Sequence, residues 1–292
     1  MNISHPFGRK EHSMSKPIVA IMYDFDKTLC TRDMQEYTFI PSVGMEPHEF
    51  WNHTAQVAAA ETMDSILTYM YCMVEKAHQS GNPLTRESLV NCGKDIEYHT
   101  GVEGWFERIN RYAEEAGVQL EHYVLSSGLK EIIEGTSIAK YFKRIYACEF
   151  MYKDGQALWP KMAVNYTNKT QFVYRINKGV LDINNDADLN NSRPDSEKRV
   201  FFSNMIYIGD GLTDVPCMKL VKQSGGHSIA IYSQGQQDKA APLLKHGRVD
   251  WMFEADYSEG SKLDSTMKLL LENLAYDNKL RGINEAQKKE FV

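Results

Sequence analysis

Two acidic segments contain the candidate chemical groups of this sequence. Each segment directly follows a run of apolar and aromatic residues. Asp24–Thr28 reads DFDKT and follows residues 18–23, and Gly209–Asp214 reads GDGLTD and follows residues 204–208. Both runs predict buried parallel strands, so the acids lie at the carboxyl edge of a sheet, where open α/β folds bind ligands. Four unpaired carboxylates there would be costly to bury. The pattern therefore favours a divalent cation, and Mg²⁺ is the usual choice beside phosphate. The four acids are Asp24, Asp26, Asp210 and Asp214.

The elements that must position these acids alternate between strand and helix patterns. A strand at 122–125 ends in Ser126-Ser127-Gly128, and further strands are predicted at 228–232 and 249–253. A hairpin is predicted between 145 and 164, and helices at 168–178 and 261–280; the polar stretch 182–198 is expected to be a surface excursion. This alternation predicts an α/β protein with a Rossmann-like parallel sheet and helices on both faces.

The region after the first acidic loop has helical periodicity for about 80 residues. Helices are expected from near Glu46, over 63–77, after an N-cap at Thr85, and over 102–116 with a stop at Gly117. The predicted organisation is a loose N-terminal arm at 1–16, a catalytic core formed by 17–34 and 117–292, and an inserted α-helical bundle, or cap, at 35–116.

Composition excludes several classes of protein. The chain has 292 residues, 42% of them hydrophobic, and a net charge of −6 without basic runs, which makes nucleic acid an unexpected partner. No apolar stretch approaches the ~18 residues of a membrane span, and the N-terminus does not resemble a signal peptide. Five cysteines without a Cys-x-x-Cys pair favour reduced thiols and a cytoplasmic location.

Four short motifs, in order along the chain, resemble those of the haloacid dehalogenase superfamily of phosphotransferases. They are Asp24/Asp26/Thr28, Ser127, Lys169 and Asp210/Asp214. The resemblance spans essentially the whole chain after the arm. The helical insertion between the first two motifs is similar to the cap of the phosphoserine-phosphatase-like branch. The resemblance implies that the backbone carbonyl of Asp26 is a further Mg²⁺ ligand.

The chemistry of phosphate monoesters assigns a role to the first group of residues. Asp24, at the strand tip, is the candidate nucleophile that forms an aspartyl-phosphate and so splits one difficult displacement into two. Asp26 is placed to protonate the leaving alcohol and then to deprotonate water. Asp210 and Asp214 are expected to hold Mg²⁺ together with Asp24.

The remaining candidates would bind the phosphate or support the turn. Lys169 would offset negative charge as a point cation, with an ordinary surface role as the alternative. Ser127 and the backbone N–H of Gly128 are expected to donate to phosphoryl oxygens, and the Ser-Gly step favours Ser127 over Ser126. Thr28 is expected to stabilise the turn that aims Asp26.

These assignments predict a Mg²⁺-dependent phosphomonoester hydrolase that acts on a small phosphorylated metabolite. A phosphotransferase or mutase of the same superfamily remains an alternative, as does, less favoured, a catalytically idle binding module on this fold. A metal-free dehalogenase is disfavoured because it would have no use for Asp26 as an acid. The sequence leaves the oligomeric state open.

Specificity is predicted only at Asp33, nine residues beyond Asp24. In the branch that the chain resembles, an acid near this position receives the ammonium group of the substrate. An amine-bearing ester is therefore expected to be favoured over a simple anionic one, although the alternative is that Asp33 merely caps the following helical turn. The cap also offers four polar or aromatic candidates, any of which is alternatively core or surface: Glu36, Tyr37, Trp51 and Arg108.

Overall fold

A mostly parallel sheet of seven strands forms the centre of the molecule. The computed structural model describes residues 16–194 and 197–291, so the predicted N-terminal arm, apart from Lys16, lies outside the described residues. The order of the strands is β4-β3-β2-β1-β5-β6-β7, and among the strands of the described residues β3 and β4 are the one pair that runs antiparallel. This confirms the predicted α/β, Rossmann-like class. The strands are β1 (Ile18–Tyr23), β2 (Gln119–Leu129), β3 (Phe142–Lys153), β4 (Gln156–Met162), β5 (Met205–Gly209), β6 (His227–Tyr232) and β7 (Trp251–Glu254).

Helices flank the sheet, and several of the predicted boundaries are met closely. Thr85 caps a helix through Ser88 N, and Gly117, with φ of 91°, ends another. The last helix runs ten residues further than predicted, and the helix at Gln237–Lys245 was not predicted. The helices are α1 (Phe39–Ser42), α2 (Pro47–Glu61), α3 (Ser65–Gln79), α4 (Arg86–Cys92), α5 (Val102–Ala116), α6 (Lys130–Glu134), α7 (Lys169–Lys178), α8 (Asp186–Asn190), α9 (Val215–Gln223), α10 (Gln237–Lys245) and α11 (Lys262–Glu290). Within the described ranges, none of these helices has both the length and the apolar character that would let it cross a bilayer.

The helices of the predicted cap fall into two groups by their packing. Helices α2 and α3 pack on each other, whereas α4 packs on α6, and α5 packs on β2 and α11. The inner face of α5 is fully buried through Trp105, Phe106 and Ile109. Because α4 and α5 lie against the core, we propose a narrower cap, residues 34–79, than the predicted 35–116.

A polar contact joins the two helices of this narrower cap. His53 Nε2 on α2 lies 3.3 Å from Glu75 Oε2 on α3, and the Cys72 thiol is within 4.8 Å of both. Lys76 Nζ also lies 3.6 Å from Glu75 Oε2. Since this carboxylate already has nitrogen partners, we interpret the group as an interhelical polar contact beside a buried thiol.

A buried hydrogen-bond chain fixes the strand that precedes Asp24. Trp105 Nε1 on α5 donates to the Tyr23 hydroxyl over 2.9 Å, and that hydroxyl lies 3.1 Å from His122 Nδ1 on β2. The other ring nitrogen, His122 Nε2, lies 2.9 Å from Asn110 Oδ1. These partners fit a neutral imidazole that donates from Nε2 and accepts at Nδ1. The chain therefore locks α5, β1 and β2 together one residue before the first acid.

We expect His122 to make the fold sensitive to acid. Burial lowers its pKa to about 3, whereas an unfolded histidine titrates near 6.5. Between these values the unfolded chain binds a proton that the folded chain refuses, so protonation favours unfolding. The free energy of unfolding should fall as the pH drops below about 6.5, by up to ~1.4 kcal/mol per pH unit from this group.

Urea titrations followed by circular dichroism between pH 5 and 7 would test this. The variant His122→Phe is less stable overall but should show a shallower dependence on pH than the wild type. The exposed His246 provides the control, because His246→Gln should keep the wild-type slope. An equal slope in all three proteins would remove His122 as the acid-sensitive group.

Candidate active site

The two acidic segments meet because β1 and β5 are neighbours in the sheet. Tyr23 pairs with Ile208, and Asp24 N donates to Ile208 O over 2.9 Å. The side chains that follow these strands therefore lie at one sheet edge. The carboxylates of Asp24, Asp210 and Asp214 lie within 4.8 Å of one another.

This convergence depends on the absence of a side chain at Gly209. A Cβ atom at this position would lie 2.5 Å from Asp214 Oδ2 and 2.6 Å from its Cγ. No residue other than glycine leaves room for the carboxylate of Asp214 to fold back over the end of β5.

Lys169, in the first turn of α7, supplies the positive charge of the site. It is 1% exposed, and its Nζ donates to Asp24 Oδ1 and to Asp214 Oδ1, over 2.9 Å in each case. The Tyr207 hydroxyl, on β5, also donates to Asp214 Oδ1 over 2.8 Å. Sequence reasoning missed Tyr207, because an aromatic residue within an apolar strand has no signal that separates it from the core.

The electrostatics of the cluster fit a divalent cation. Burial, together with the negative charge of Asp214, raises the pKa of Asp24 to about 7, and burial with Asp24 and Asp214 raises the pKa of Asp210 to about 8. Burial alone would lower the pKa of Lys169, but Asp214 and Asp24 outweigh it and raise that pKa. One ammonium group thus leaves excess negative charge among oxygen donors, which is the donor set that Mg²⁺ prefers.

The Asp26 carboxylate lies outside this cluster and contacts the turn that follows it. Lys27 has a φ of 57°, so the chain reverses there, and Asp26 Oδ1 accepts a hydrogen bond from Met34 N over 2.8 Å. A Cβ atom at Gly128 would lie 2.8 Å from Asp26 Oδ2. Burial, followed by the charges of Asp33 and Asp24, raises the pKa of Asp26 well above its usual range.

The structure corrects the expected hydrogen bonds of two groups, the Gly128 N–H and the Thr28 hydroxyl. The Gly128 N–H donates to Ser126 Oγ over 3.0 Å, so it is not the free donor that we expected. The Thr28 hydroxyl is buried without a hydrogen-bond partner among the described residues, so it does not hold the turn through a side-chain hydrogen bond. The turn is held instead by backbone bonds such as Thr28 N to Phe25 O, at 3.2 Å. Ser127, which is half-buried, lies beside Asp26, and its hydrogen bond to phosphate stays a prediction.

Asp33 has a partner that the sequence did not reveal. Its Oδ2 lies 2.6 Å from Lys27 Nζ, in an ion pair across the turn. Its side chain makes no capping hydrogen bond to the helical turn at Met34–Glu36. Because Lys27 already balances this carboxylate, Asp33 does not offer the free negative charge that a substrate ammonium group would need.

A cavity of about 330 Å³ opens between Asp26 and the cap, and we refer to it as the Asp26 cavity. Helices α2 and α3 supply most of its wall, and Asp26, Asp33 and Ser127 supply the core side. The residues that line it are Asp26, Asp33, Gln35, Trp51, Thr54, Ala55, Ala58, Ser65, Ile66, Tyr69 and Ser127. The cavity therefore provides space for part of a ligand directly beside Asp26.

Of the four cap candidates that the sequence offered, Trp51 lines this cavity. Glu36 accepts a hydrogen bond from Trp51 Nε1 over 2.8 Å, and the Tyr37 hydroxyl binds Thr31 over 2.9 Å. Arg108 lies elsewhere, since its Nε donates to Asp264 Oδ1 over 3.2 Å and ties α5 to α11. Gln35 and Tyr69 also line the cavity and were not foreseen.

Comparison with known proteins places this site in a family context. The family model for haloacid dehalogenase-like hydrolase matches residues 21–219, a range that holds all the acids of the site. An uncharacterized protein of Borreliella burgdorferi is 27% identical over 274 residues, covering 84% of this chain and 94% of that protein.

Solved structures resemble the fold at low identity. A phospho-aspartyl intermediate analogue of phosphoserine phosphatase is 17% identical, with a TM-score of 0.52, and covers 87% of this chain and 99% of its own. A substrate-bound phosphoserine phosphatase complex is 16% identical, with a TM-score of 0.53 and the same coverages. A HAD family hydrolase of Salmonella enterica serovar Typhi is 15% identical, with a TM-score of 0.53, over 87% of this chain and 72% of its own. These likenesses support the fold, and the family match over most of the chain gives the conclusion: the protein belongs to the haloacid dehalogenase-like hydrolase family.

Proposed function

We propose that the protein is a Mg²⁺-dependent phosphomonoester hydrolase that acts on a small phosphorylated metabolite through an aspartyl-phosphate. The observation that carries the proposal is the position of Lys169, whose ammonium group holds one oxygen of Asp24 while Asp24, Asp210 and Asp214 converge. An oriented carboxylate beside a cation and further acids is suited to nucleophilic attack on phosphorus.

Asp24 and Asp26 divide the proposed reaction between them. The Asp24 oxygen that Lys169 does not hold attacks phosphorus, the bond from phosphorus to the ester oxygen breaks, and Asp26 gives its proton to the departing alkoxide. Asp26 then takes a proton from water as that water attacks phosphorus, and Asp24 leaves as a carboxylate. Lys169 keeps Asp24 oriented in both steps and offsets part of the negative charge on the phosphoryl group.

The metal would be held by Asp24, Asp210 and Asp214, with the backbone carbonyl of Asp26 as a further ligand that the family resemblance implies. Bound there, Mg²⁺ would reduce the charge repulsion between the nucleophile and the phosphate. The buried Lys169 and Tyr207 both donate hydrogen bonds to the Asp214 carboxylate, so they help to preorganise this metal ligand.

Location is also part of the proposal. All five cysteines are buried and free, without a disulfide bond between them. Reduced thiols of this kind are the usual state in a cytoplasm. We therefore propose a cytoplasmic enzyme.

Replacing the nucleophile should abolish turnover. Asp24→Asn keeps the size of the side chain but removes the attacking anion, so phosphate release should fall to background while the far-ultraviolet circular dichroism stays unchanged. The matched control is Asp154→Asn, at the exposed hairpin turn, where φ of 51° suits asparagine. Substantial turnover by Asp24→Asn, with deamidation excluded by mass spectrometry, would show that another group attacks phosphorus.

Activity should require Mg²⁺ and be inhibited by Ca²⁺. Mg²⁺ demands octahedral geometry with few carboxylate contacts, whereas Ca²⁺ accepts six to eight oxygen ligands and would occupy both oxygens of Asp24. Phosphate release should be lost after exhaustive chelation, return with Mg²⁺, and fall again when Ca²⁺ is added. Full activity in the chelated protein would contradict the proposed metal dependence.

Asp26 should matter most for poor leaving groups. Asp26→Asn removes the acid and base, so turnover of an alkyl phosphate should fall by about 10²–10⁴-fold. The burst of phosphorylation with an ester of a very acidic alcohol should be affected far less, because that alkoxide departs without a proton. Equal losses for both esters in rapid-quench measurements would take Asp26 out of the leaving-group role.

A further inference from the structure

We propose that the Asp26 cavity binds an uncharged leaving group that has an apolar body and one hydrogen-bond donor. The side-chain oxygen of Gln35 accepts the hydrogen bond from that donor. The inference rests on the proposed function and names its substrate class, which is the phosphate ester of a compact neutral alcohol that carries a second hydroxyl or amide N–H group. Three features of the cavity carry it: an unpartnered amide, an apolar aromatic wall, and a charge balance that leaves no site for an ion.

Gln35 is the unpartnered amide. Its side chain lines the Asp26 cavity and is 2% exposed, and its Oε1 has no hydrogen-bond partner among the described residues. A buried acceptor without a donor destabilises the free protein, so it favours any ligand that supplies one. The backbone of Gln35 belongs to the turn directly after Asp33, so the amide is held close to the chemistry.

The aromatic wall presents apolar surface because its polar atoms are already bonded within the protein. Trp51 Nε1 donates to Glu36 Oε1 over 2.8 Å, and the Tyr69 hydroxyl donates to Ser127 O over 2.7 Å. The two rings pack edge to face, with centroids 6.2 Å apart. The Thr54 hydroxyl likewise donates to Trp51 O over 2.8 Å. These side chains therefore offer an alcohol a hydrophobic surface rather than further hydrogen bonds.

The charges around the cavity exclude ionic leaving groups. Of the described residues that line it, none is a lysine, arginine or histidine, so a carboxylate or a second phosphate has no partner on the wall. The acid beside Asp26 on the wall, Asp33, is paired with Lys27 Nζ at 2.6 Å, so a substrate ammonium group would have to displace that lysine. Burial of an unpaired ion is costly, and the cavity thus selects neutral groups.

A series of aryl phosphates that differ in one substituent would test the inference. The substituents are hydroxymethyl, ethyl, aminomethyl and carboxyl. Each is placed at the meta and at the para position, so that the distance from the ester oxygen to the substituent does not decide the result. For the wild type, kcat/KM for the two neutral esters should exceed that for the aminomethyl and carboxyl esters by at least about ten-fold. The hydroxymethyl ester should exceed its ethyl counterpart by about five-fold, the size of one net hydrogen bond.

Gln35→Met keeps the length of the side chain and removes both polar atoms, so the ratio of kcat/KM for the hydroxymethyl ester to that for the ethyl ester should fall from about five to about one. Gln56→Met, on the exposed face of α2, is the matched control and should retain the wild-type preference. An unchanged preference in Gln35→Met, or a wild type that hydrolyses the carboxyl ester as well as the neutral ones, would overturn the proposal.

Binding of the free alcohols separates this inference from the proposed function. Titration calorimetry with 4-(hydroxymethyl)phenol and 4-ethylphenol should show the same order and the same loss in Gln35→Met without any chemistry. If none of the esters is hydrolysed but the alcohols bind in this order, the proposed hydrolase function fails and the recognition site stands. If esters are hydrolysed without discrimination and neither alcohol binds, the hydrolase stands and the recognition site fails.

Discussion

The site depends on one buried ammonium group held between two carboxylates. Lys169 Nζ lies 2.9 Å from an oxygen of Asp24 and 2.9 Å from an oxygen of Asp214, although those residues follow different strands and the lysine begins a helix. Each partner is almost fully buried, so the loss of any one would leave an uncompensated charge in the interior. This charge arrangement therefore requires that α7 keeps its position in the fold and that β1 and β5 remain neighbours in the sheet.

The sequence predicted those parts of the protein in which the local backbone geometry determines which residue type occupies a position. Strand ends, Thr85 as a cap, Gly117 as a stop and the hairpin between 145 and 164 are local features, so they can be predicted from a single sequence. The acids were also found, because parallel strands that end in carboxylates have few alternatives. These predictions needed no knowledge of distant contacts.

The sequence did not predict the contacts between segments that are far apart or whose side chains have several partners to choose from. Lys27 pairing with Asp33 and the Gly128 N–H bonding Ser126 Oγ are choices among neighbouring polar groups that spacing does not decide. The placement of α5 on β2 and α11 depends on a contact with the last helix, which periodicity cannot show. Gln35 is recognised only when its burial and its missing partner are seen together.

The cap that we propose, residues 34–79, would separate substrate recognition from bond breaking, and this separation has an evolutionary consequence. Bond breaking is assigned to residues of the sheet edge, where Asp214 leaves no room for a side chain at Gly209. Most of the cavity wall comes from two helices that pack chiefly on each other. Mutations on the inner faces of that helix pair can therefore accumulate while the sheet edge is kept intact. A duplicated copy of this gene would have a short path to a new substrate, through a few substitutions in one contiguous stretch of about 45 residues.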